Sequence, residues 1–103
     1  MMPSLYCLHL VFPAALEEAV SAALIEYQPP LPGFTLLKAE GHSNNFATAS
    51  ADECVRGRVV RSMIQMVLPP ETINAVITTL RARVHSAHVV WWTTPVENFG
   101  RLA

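Results

Sequence analysis

Histidine, cysteine and acidic residues lie close together in the middle of the sequence, where they could bind a metal ion or an anion. His42 follows Gly41, and a glycine lets a ligand approach the backbone closely. His42 is therefore a candidate metal or phosphate ligand, or else a solvent-facing histidine at a strand end. The same stretch holds two acids and a thiol, Asp52, Glu53 and Cys54. With His42 they would offer oxygen, nitrogen and sulfur ligands to a divalent transition metal. Contiguous side chains seldom converge on one ion, so a solvated acidic turn is the alternative.

Arginines follow this stretch and form the main basic cluster, which consists of Arg56, Arg58 and Arg61. Alternate residues of an extended chain share one side, so Arg56 and Arg58 could point together at an anion or at a partner's carboxylates. For Arg61 we favour a solvated strand edge, where a charge blocks sheet-to-sheet aggregation.

Cys7 and His9 lie two residues apart in an apolar stretch that predicts a strand. Their side chains would share one face, which is a geometry that a metal site can use. The alternatives are a cysteine that packs as a plain hydrophobe and a histidine that only makes hydrogen bonds. Both alternatives stay open at the level of the sequence.

Motifs of catalysis are missing from the sequence. It has no nucleophile elbow with a Ser/His/Asp order, no P-loop and no Rossmann fingerprint. We therefore predict that the protein is not an enzyme.

The composition is poor in charge for a soluble domain. Of 103 residues, 51% are hydrophobic and 15% are charged, against about 25% charged in typical domains. This length suits one domain, residues 1–103, and the hydrophobicity excludes intrinsic disorder. A net charge of -1 argues against nucleic-acid binding. The surplus apolar surface is either exposed or covered by copies of the same chain.

The first residues, Met1 to Ser4, contain no lysine or arginine and so lack the basic region of a secretory signal. No apolar stretch approaches the roughly 20 residues of a membrane span. We predict a cytoplasmic protein that does not insert into membranes, with Cys7 and Cys54 reduced.

Apolar periodicity and prolines predict four strands and two helices. The strands cover about residues 5–12, 34–42, 59–68 and 88–94. Pro13 opens the first helix, and Pro69 and Pro70 lead into the second. The apolar helix stripes are Leu16, Val20, Ala23, Leu24 and Tyr27, then Ile73, Val76, Ile77 and Leu80. Between the second and third strands, a long flexible loop is predicted at about residues 43–58.

An internal repeat specifies how these elements combine. Val11-Phe12-Pro13 recurs 56 residues later as Val67-Leu68-Pro69, and the following helix positions repeat with the same offset. Each half is a strand, a helix and a strand. Two such halves predict the α+β, ferredoxin-like split βαβ sandwich (βαββαβ), a four-stranded antiparallel sheet with both helices on one face.

The other face of that sheet is left bare, and we predict that it forms an oligomer interface. On the first strand it consists of either Leu5, Cys7, His9 and Val11, or Tyr6, Leu8, Leu10 and Phe12. Trp91 and Trp92 must point to opposite faces, so one is predicted to pack in the core and the other to fill a subunit contact. The predicted interface residues are Leu5, Cys7, His9, Trp91 and Trp92.

Three short segments carry a resemblance to a known family. They are Glu40-Gly41-His42-Ser43, Val55-Arg56-Gly57-Arg58 and the tail Val96-Glu97-Asn98-Phe99-Gly100-Arg101-Leu102. With the long loop and the returning third strand, they resemble the PII-like signalling proteins, which are trimers of ferredoxin-like subunits. The sequence is most similar to a small branch whose genes often lie near heavy-metal efflux systems.

The resemblance implies a homotrimer that buries the bare sheet faces at its centre. Residues 43–58 would correspond to the T-loop, which PII proteins use to contact a target. An adenine nucleotide would be the effector, bound in clefts between subunits. The implied effector-binding residues are Gly41, His42, Ser43, Arg56 and Arg58. The family's glycine-rich phosphate loop is replaced here by a connection without glycine, in which Arg81 and Arg83 would supply charge.

We therefore predict a small PII-like regulatory protein that senses an effector and signals through its central loop to a partner such as a membrane transporter or efflux component. The loop has no tyrosine for a nucleotidyl modification, so nitrogen regulation is not predicted. The alternative is a metal-binding or metal-buffering protein of the same fold, linked to heavy-metal resistance. It would use His42, Cys54 or the Cys7/His9 face.

Overall fold

Strands and helices follow each other in the predicted order in a computed structural model that describes residues 4–41 and 59–103. The elements are β1 (Leu5–Pro13), a 3-10 turn (Ala14–Leu16), α1 (Glu17–Ile25), β2 (Thr35–Gly41), β3 (Val59–Leu68), α2 (Pro70–Arg83) and β4 (Val90–Val96). The predicted long loop at 43–58 lies outside the described residues.

The four strands form one antiparallel sheet in the order β2-β3-β1-β4. Both helices pack on the same side of it, so the predicted ferredoxin-like α+β fold is confirmed. The offset of 56 residues is visible in the strand pairing, because His9 of β1 lies opposite Gln65 of β3. An approximate twofold axis of the repeat therefore passes between these two residues.

The core lies between the sheet and the helices. On β1 its members are Leu8, Leu10 and Phe12, none of which is exposed. They pack with residues of β3 and of both helix stripes, namely Ile64, Met66, Leu68, Val20, Ala23, Leu24, Ile73, Val76, Ile77 and Leu80. The alternation of a strand then places Leu5, Cys7, His9 and Val11 on the face without helices. This decides between the two sets that the sequence left open.

Two element boundaries differ from the prediction. Pro13 is the last residue of β1 and pairs with Arg61, and the helical region opens at Ala14 with a 3-10 turn. Pro13 has an extended backbone, with ψ 141°, which suits a strand end and a helix N-cap equally. At the other boundary, β4 begins at Val90 because the chain first makes a turn. In this turn His85 has φ 43°, and the Val89 N–H donates a hydrogen bond to the Ser86 carbonyl.

Within residues 4–41 and 59–103, no helix has both the length and the apolar character needed to cross a membrane.

Candidate interaction face and ligand cleft

The sheet face that neither helix covers is mostly apolar and open to solvent in the single chain. We call it the helix-free face. Strand register places on it Leu5, Cys7, His9 and Val11 of β1, Met63, Gln65 and Val67 of β3, Leu37 and Ala39 of β2, and Val90, Trp92 and Thr94 of β4. Leu37 is 43% exposed, Val90 55% and Trp92 41%. A surface of this kind is typical of a contact with another protein chain.

A polar row crosses the middle of the helix-free face and is centred on His9. The imidazole stacks on the Trp92 indole, with ring centroids 5.1 Å apart and planes inclined by 12°. Its Nδ1 lies 3.3 Å from the Gln65 Nε2, and its Nε2 lies 3.0 Å from the Thr94 Oγ1. In a neutral ring protonated at Nε2, the Gln65 amide donates to Nδ1 and the ring donates to Thr94.

These hydrogen bonds concern the metal site that the sequence predicts at Cys7 and His9. The two residues do share a face, as predicted, but both ring nitrogens of His9 already have hydrogen-bond partners. In the part of the chain that the structure describes, no three histidine, cysteine or acidic side chains form a group that could hold a metal ion. The hydrogen-bonded histidine is thus the alternative that fits these contacts.

Gly41 ends β2 beneath the side chain of Arg61. A Cβ atom at position 41 would collide with the Arg61 Nε and would lie 2.9 Å from its Cδ. The glycine therefore lets the half-buried arginine lie across the strand end. The interpretation of Arg61 as an edge charge is wrong, because β3 is an inner strand between β2 and β1.

On the helix side of the sheet, one carboxylate connects α1 with two strands. The fully buried Ser62 of β3 donates a hydrogen bond of 2.7 Å to the Glu17 Oε1. Lys38 of β2 donates a second one of 2.9 Å to the same oxygen. The Ser62 hydroxyl above all, and then Lys38, lower the pKa of Glu17. In the sequence, the only sign of this contact is a serine among the apolar residues on the helix-facing side of β3.

The lowered pKa of Glu17 predicts a loss of stability in acid. A carboxyl whose pKa is lower in the folded chain stabilises the fold above the ordinary glutamate pKa of about 4.3, and this contribution disappears as the pH falls through the lowered value. We expect the urea midpoint to fall less between pH 7 and pH 3 in Glu17→Gln than in the parent. Glu18→Gln, an exposed neighbour, is the control and should keep the parental pH dependence. Equal acid sensitivity of Glu17→Gln and the parent would contradict the assignment.

A cleft of about 550 Å³ opens on the helix side, at the C-terminal end of α2. Its floor is buried and apolar and consists of Leu10, Val20, Ile77 and Leu80. The residues around its mouth are Arg81, Val84, His85, Ser86, Ala87, Val89 and Trp91. Floor and mouth together come from β1, α1 and the stretch from α2 to β4, so no local pattern of the sequence indicates the cleft.

The cleft and the ends of the β2–β3 pair lie at the same end of the sheet. Register places Val90, which follows the 84–89 connection, opposite Val11, while Pro13 lies opposite Arg61. Gly41 and Val59 pair two residues beyond Arg61, at the end of β2 and the start of β3.

The structure places only some of the predicted site residues. Gly41 is at the end of β2, whereas the other predicted effector and metal residues lie outside the described part of the chain: His42, Ser43, Asp52, Glu53, Cys54, Arg56 and Arg58. Of the basic residues near the cleft, Arg83 pairs with Glu26 at 3.1 Å. Arg81 lines the cleft itself.

The predicted interface residues separate into two groups. Leu5, Cys7, His9 and Trp92 lie on the helix-free face, and Trp91 lies on the opposite face at the cleft. The prediction that one tryptophan packs in the core is wrong, because Trp91 is 40% exposed and Trp92 is 41% exposed. The reason is that β4 is an edge strand, which the helices cover only in part.

Solved structures share this fold over nearly the whole chain. A DUF3240 family protein from Shewanella baltica OS155 superposes with a TM-score of 0.78 at 20% identity, covering 99% of this chain and 100% of its own. CPII from Thiomonas intermedia K12, a nitrogen regulatory PII-like protein bound to ADP, AMP and bicarbonate, gives 0.70 at 16% identity and covers 97% of both chains. Arabidopsis thaliana PII bound to citrate gives 0.72 at 16% identity, covering 97% of this chain and 84% of its own.

At these identities the likeness shows a PII-like fold. No curated protein matches the sequence. A family model described as "Protein of unknown function (DUF3240)" matches residues 2–103, and the chain therefore belongs to the DUF3240 family.

Proposed function

We propose that this chain is a PII-like regulatory protein that binds a small effector, an adenine nucleotide, and passes the signal to a partner through residues 43–58. The observation that carries the proposal is the PII-like fold over nearly the whole chain, including its likeness to a CPII structure with bound ADP and AMP. The protein acts in the cytoplasm without catalysis, and its partner is a membrane transporter or an efflux component.

Assembly is the first step of this proposal. The helix-free face is mostly apolar, its polar members being the row around His9, Thr35 beside Gln65, and Arg61, and its residues Leu37 and Trp92 are over 40% exposed. Burying apolar surface is favourable by about 25 cal/mol per Å². Three copies that meet through this face would remove it from water and would create clefts between subunits.

Effector binding is the second step, and it is placed at the end of the sheet where β2 and β3 stop. Gly41 makes room there for the Arg61 side chain, whose guanidinium can bind phosphate. Arg56 and Arg58 follow in the segment that returns to β3 and would add further positive charge. An anion bound among these groups would change the conformation of the 43–58 segment, which is the proposed signal.

Calorimetric titration with ATP, ADP and AMP tests the effector. At about 100 µM chain we expect measurable heat for at least one nucleotide. The double variant Arg56→Gln/Arg58→Gln should bind it at least about tenfold more weakly, because charge-assisted phosphate contacts are lost. Lys38→Gln is the control, since Lys38 pairs with Glu17 on the helix side.

The absence of heat for all three nucleotides would reject nucleotide sensing. Equal affinity of the parent and the double variant would leave nucleotide sensing intact but remove these two arginines from the site. Metal analysis of the purified protein, with His42→Ala beside it, decides the metal-binding alternative in the same preparation.

A further inference from the structure

His9 lies at the centre of the helix-free face, where the proposed assembly would bury it. Its strand β1 is an inner strand, and its neighbours across the sheet are Gln65 of β3 and Trp92 of β4. Histidine is the side chain whose charge ordinarily changes between pH 5 and 8. A contact that encloses this ring therefore responds to pH if the charged ring fits it less well than the neutral one.

Within one chain, the partners of His9 suit both charge states. The Thr94 Oγ1, 3.0 Å from the ring Nε2, can accept a hydrogen bond from the ring in either state. The Gln65 amide, 3.3 Å from Nδ1, donates to a neutral ring and can turn its oxygen toward a protonated one. The Trp92 indole that stacks on the ring also attracts a cation. All three contacts are made inside the chain, so assembly neither adds nor removes them.

The helix-free face offers no negative charge to a protonated His9. In residues 4–41 and 59–103, none of the strand positions on this face carries aspartate or glutamate. Its other ionisable groups are the Cys7 thiol on β1 and the Arg61 guanidinium on β3, which is itself positive, and the described parts of β2 and β4 add none. A second copy that meets the face through the same residues brings no carboxylate either. Assembly would therefore enclose an unpaired charge, which is unfavourable because the charge loses its water without gaining a counter-charge.

We infer that protonation of His9 dissociates the assembly, so that the helix-free face is a pH-sensitive contact between copies of this chain. The inference rests on the assembly step of the proposed function and adds pH to the effector as a second regulatory input. Its sign follows from linkage: a proton that binds the single chain more readily than the assembled one favours single chains as the pH falls. Each copy contributes one His9, so the association constant of a trimer falls by up to about a thousandfold per pH unit below the range in which histidine titrates.

Analytical ultracentrifugation of a dilution series at pH 7.5 and pH 5.5 tests this inference. We expect the association constant of the parent to be at least about a hundredfold lower at pH 5.5. His9→Gln keeps a polar side chain that does not titrate, so its association constant should change by no more than about threefold between the two pH values. The Glu17 carboxyl does not interfere, because its lowered pKa keeps it ionised over this range.

The matched control removes a histidine from the other side of the sheet. His85 lines the cleft on the helix side, and its φ of 43° is a conformation that asparagine tolerates. His85→Asn should therefore keep both the fold and the parental pH dependence, and circular dichroism checks the fold of every variant at each pH. If His9→Gln does not assemble at pH 7.5, His9→Phe replaces it, because a phenyl ring can still stack on Trp92 but carries no proton.

A measurement on the parent alone reads the same linkage. Dissociation by dilution at pH 6.0, followed by calorimetry in two buffers of different ionisation enthalpy, should take up about two protons per three chains. The absence of proton uptake, equal assembly of the parent at both pH values, a parental pH dependence in His9→Gln, or a lost one in His85→Asn would each overturn the inference and leave the proposed assembly intact. A parent that is a single chain at pH 7.5 would instead contradict the assembly step, and the inference with it.

Discussion

Trp92→Glu is expected to convert the assembled protein into single chains, whereas Trp91→Glu leaves the assembly intact. Trp92 stacks on His9 in the helix-free face, through which we propose that three copies meet. A glutamate there would carry its charge into an apolar contact, and burying an unpaired carboxylate costs several kcal/mol. Light scattering at micromolar concentration should give three chain masses for the parent and for Trp91→Glu, and one for Trp92→Glu.

The two tryptophans form a closely matched pair. They are neighbours on the same edge strand and are 40% and 41% exposed, so each substitution removes the same side chain from a similar environment. They differ in the face on which they lie. Circular dichroism should show folded protein in both cases. A parent that is a single chain at all concentrations would contradict the proposed assembly, and dissociation of both variants would contradict the choice of face.

The fold could be predicted from the sequence because its signals are local and repeated. Short apolar runs flanked by prolines, such as that of β1, predict strands, and the prolines at 13 and 69 mark the boundary between each strand and its helix. The recurrence of Val11-Phe12-Pro13 at Val67-Leu68-Pro69 then indicates two equal halves. These observations were sufficient for the topology, which the strand pairing confirms.

Local sequence patterns do not predict which face of the sheet the helices cover. Both alternating sets of β1 are mostly apolar, so hydrophobicity alone could not distinguish the set facing the helices from the bare one. The distinction depends on how the helices dock, for example on Glu17 of α1 reaching Ser62 and Lys38. His9 is a candidate residue in the sequence, but its partners Gln65 and Thr94 come from two other strands.

The cleft is the clearest case of a feature that sequence patterns do not reveal. Its floor combines Leu10 with Val20 and Ile77, each of which appears in the sequence only as a member of its own apolar stripe. Trp91 stands on the edge strand β4 and is 40% exposed at the mouth. Only the tertiary arrangement brings these side chains near Arg81.

Phe12→Ala is expected to be the most destabilising of the single substitutions considered. Phe12 is fully buried in the core that joins β1 to the helices. Removing a buried phenylalanine costs about 3–5 kcal/mol, because apolar contacts are lost and a cavity remains. Most domains are stable by only about 5–15 kcal/mol, so the variant should retain a small part of its stability or unfold. Urea denaturation measures the difference, in a Trp92→Glu background so that unfolding is not coupled to assembly.

Two further variants separate the packing effect from general damage. Leu68 is the repeat equivalent of Phe12 and is 2% exposed, so Leu68→Ala should cost about 2–5 kcal/mol. Ile25, at the end of α1, is 70% exposed, so Ile25→Ala should change stability by no more than about 0.5 kcal/mol. If Phe12→Ala cost less than about 1 kcal/mol, Phe12 would not be a core residue, and the helices would have to pack on the other face of the sheet. The same result would invalidate the helix-free face and the cleft, because both follow from this one choice of side.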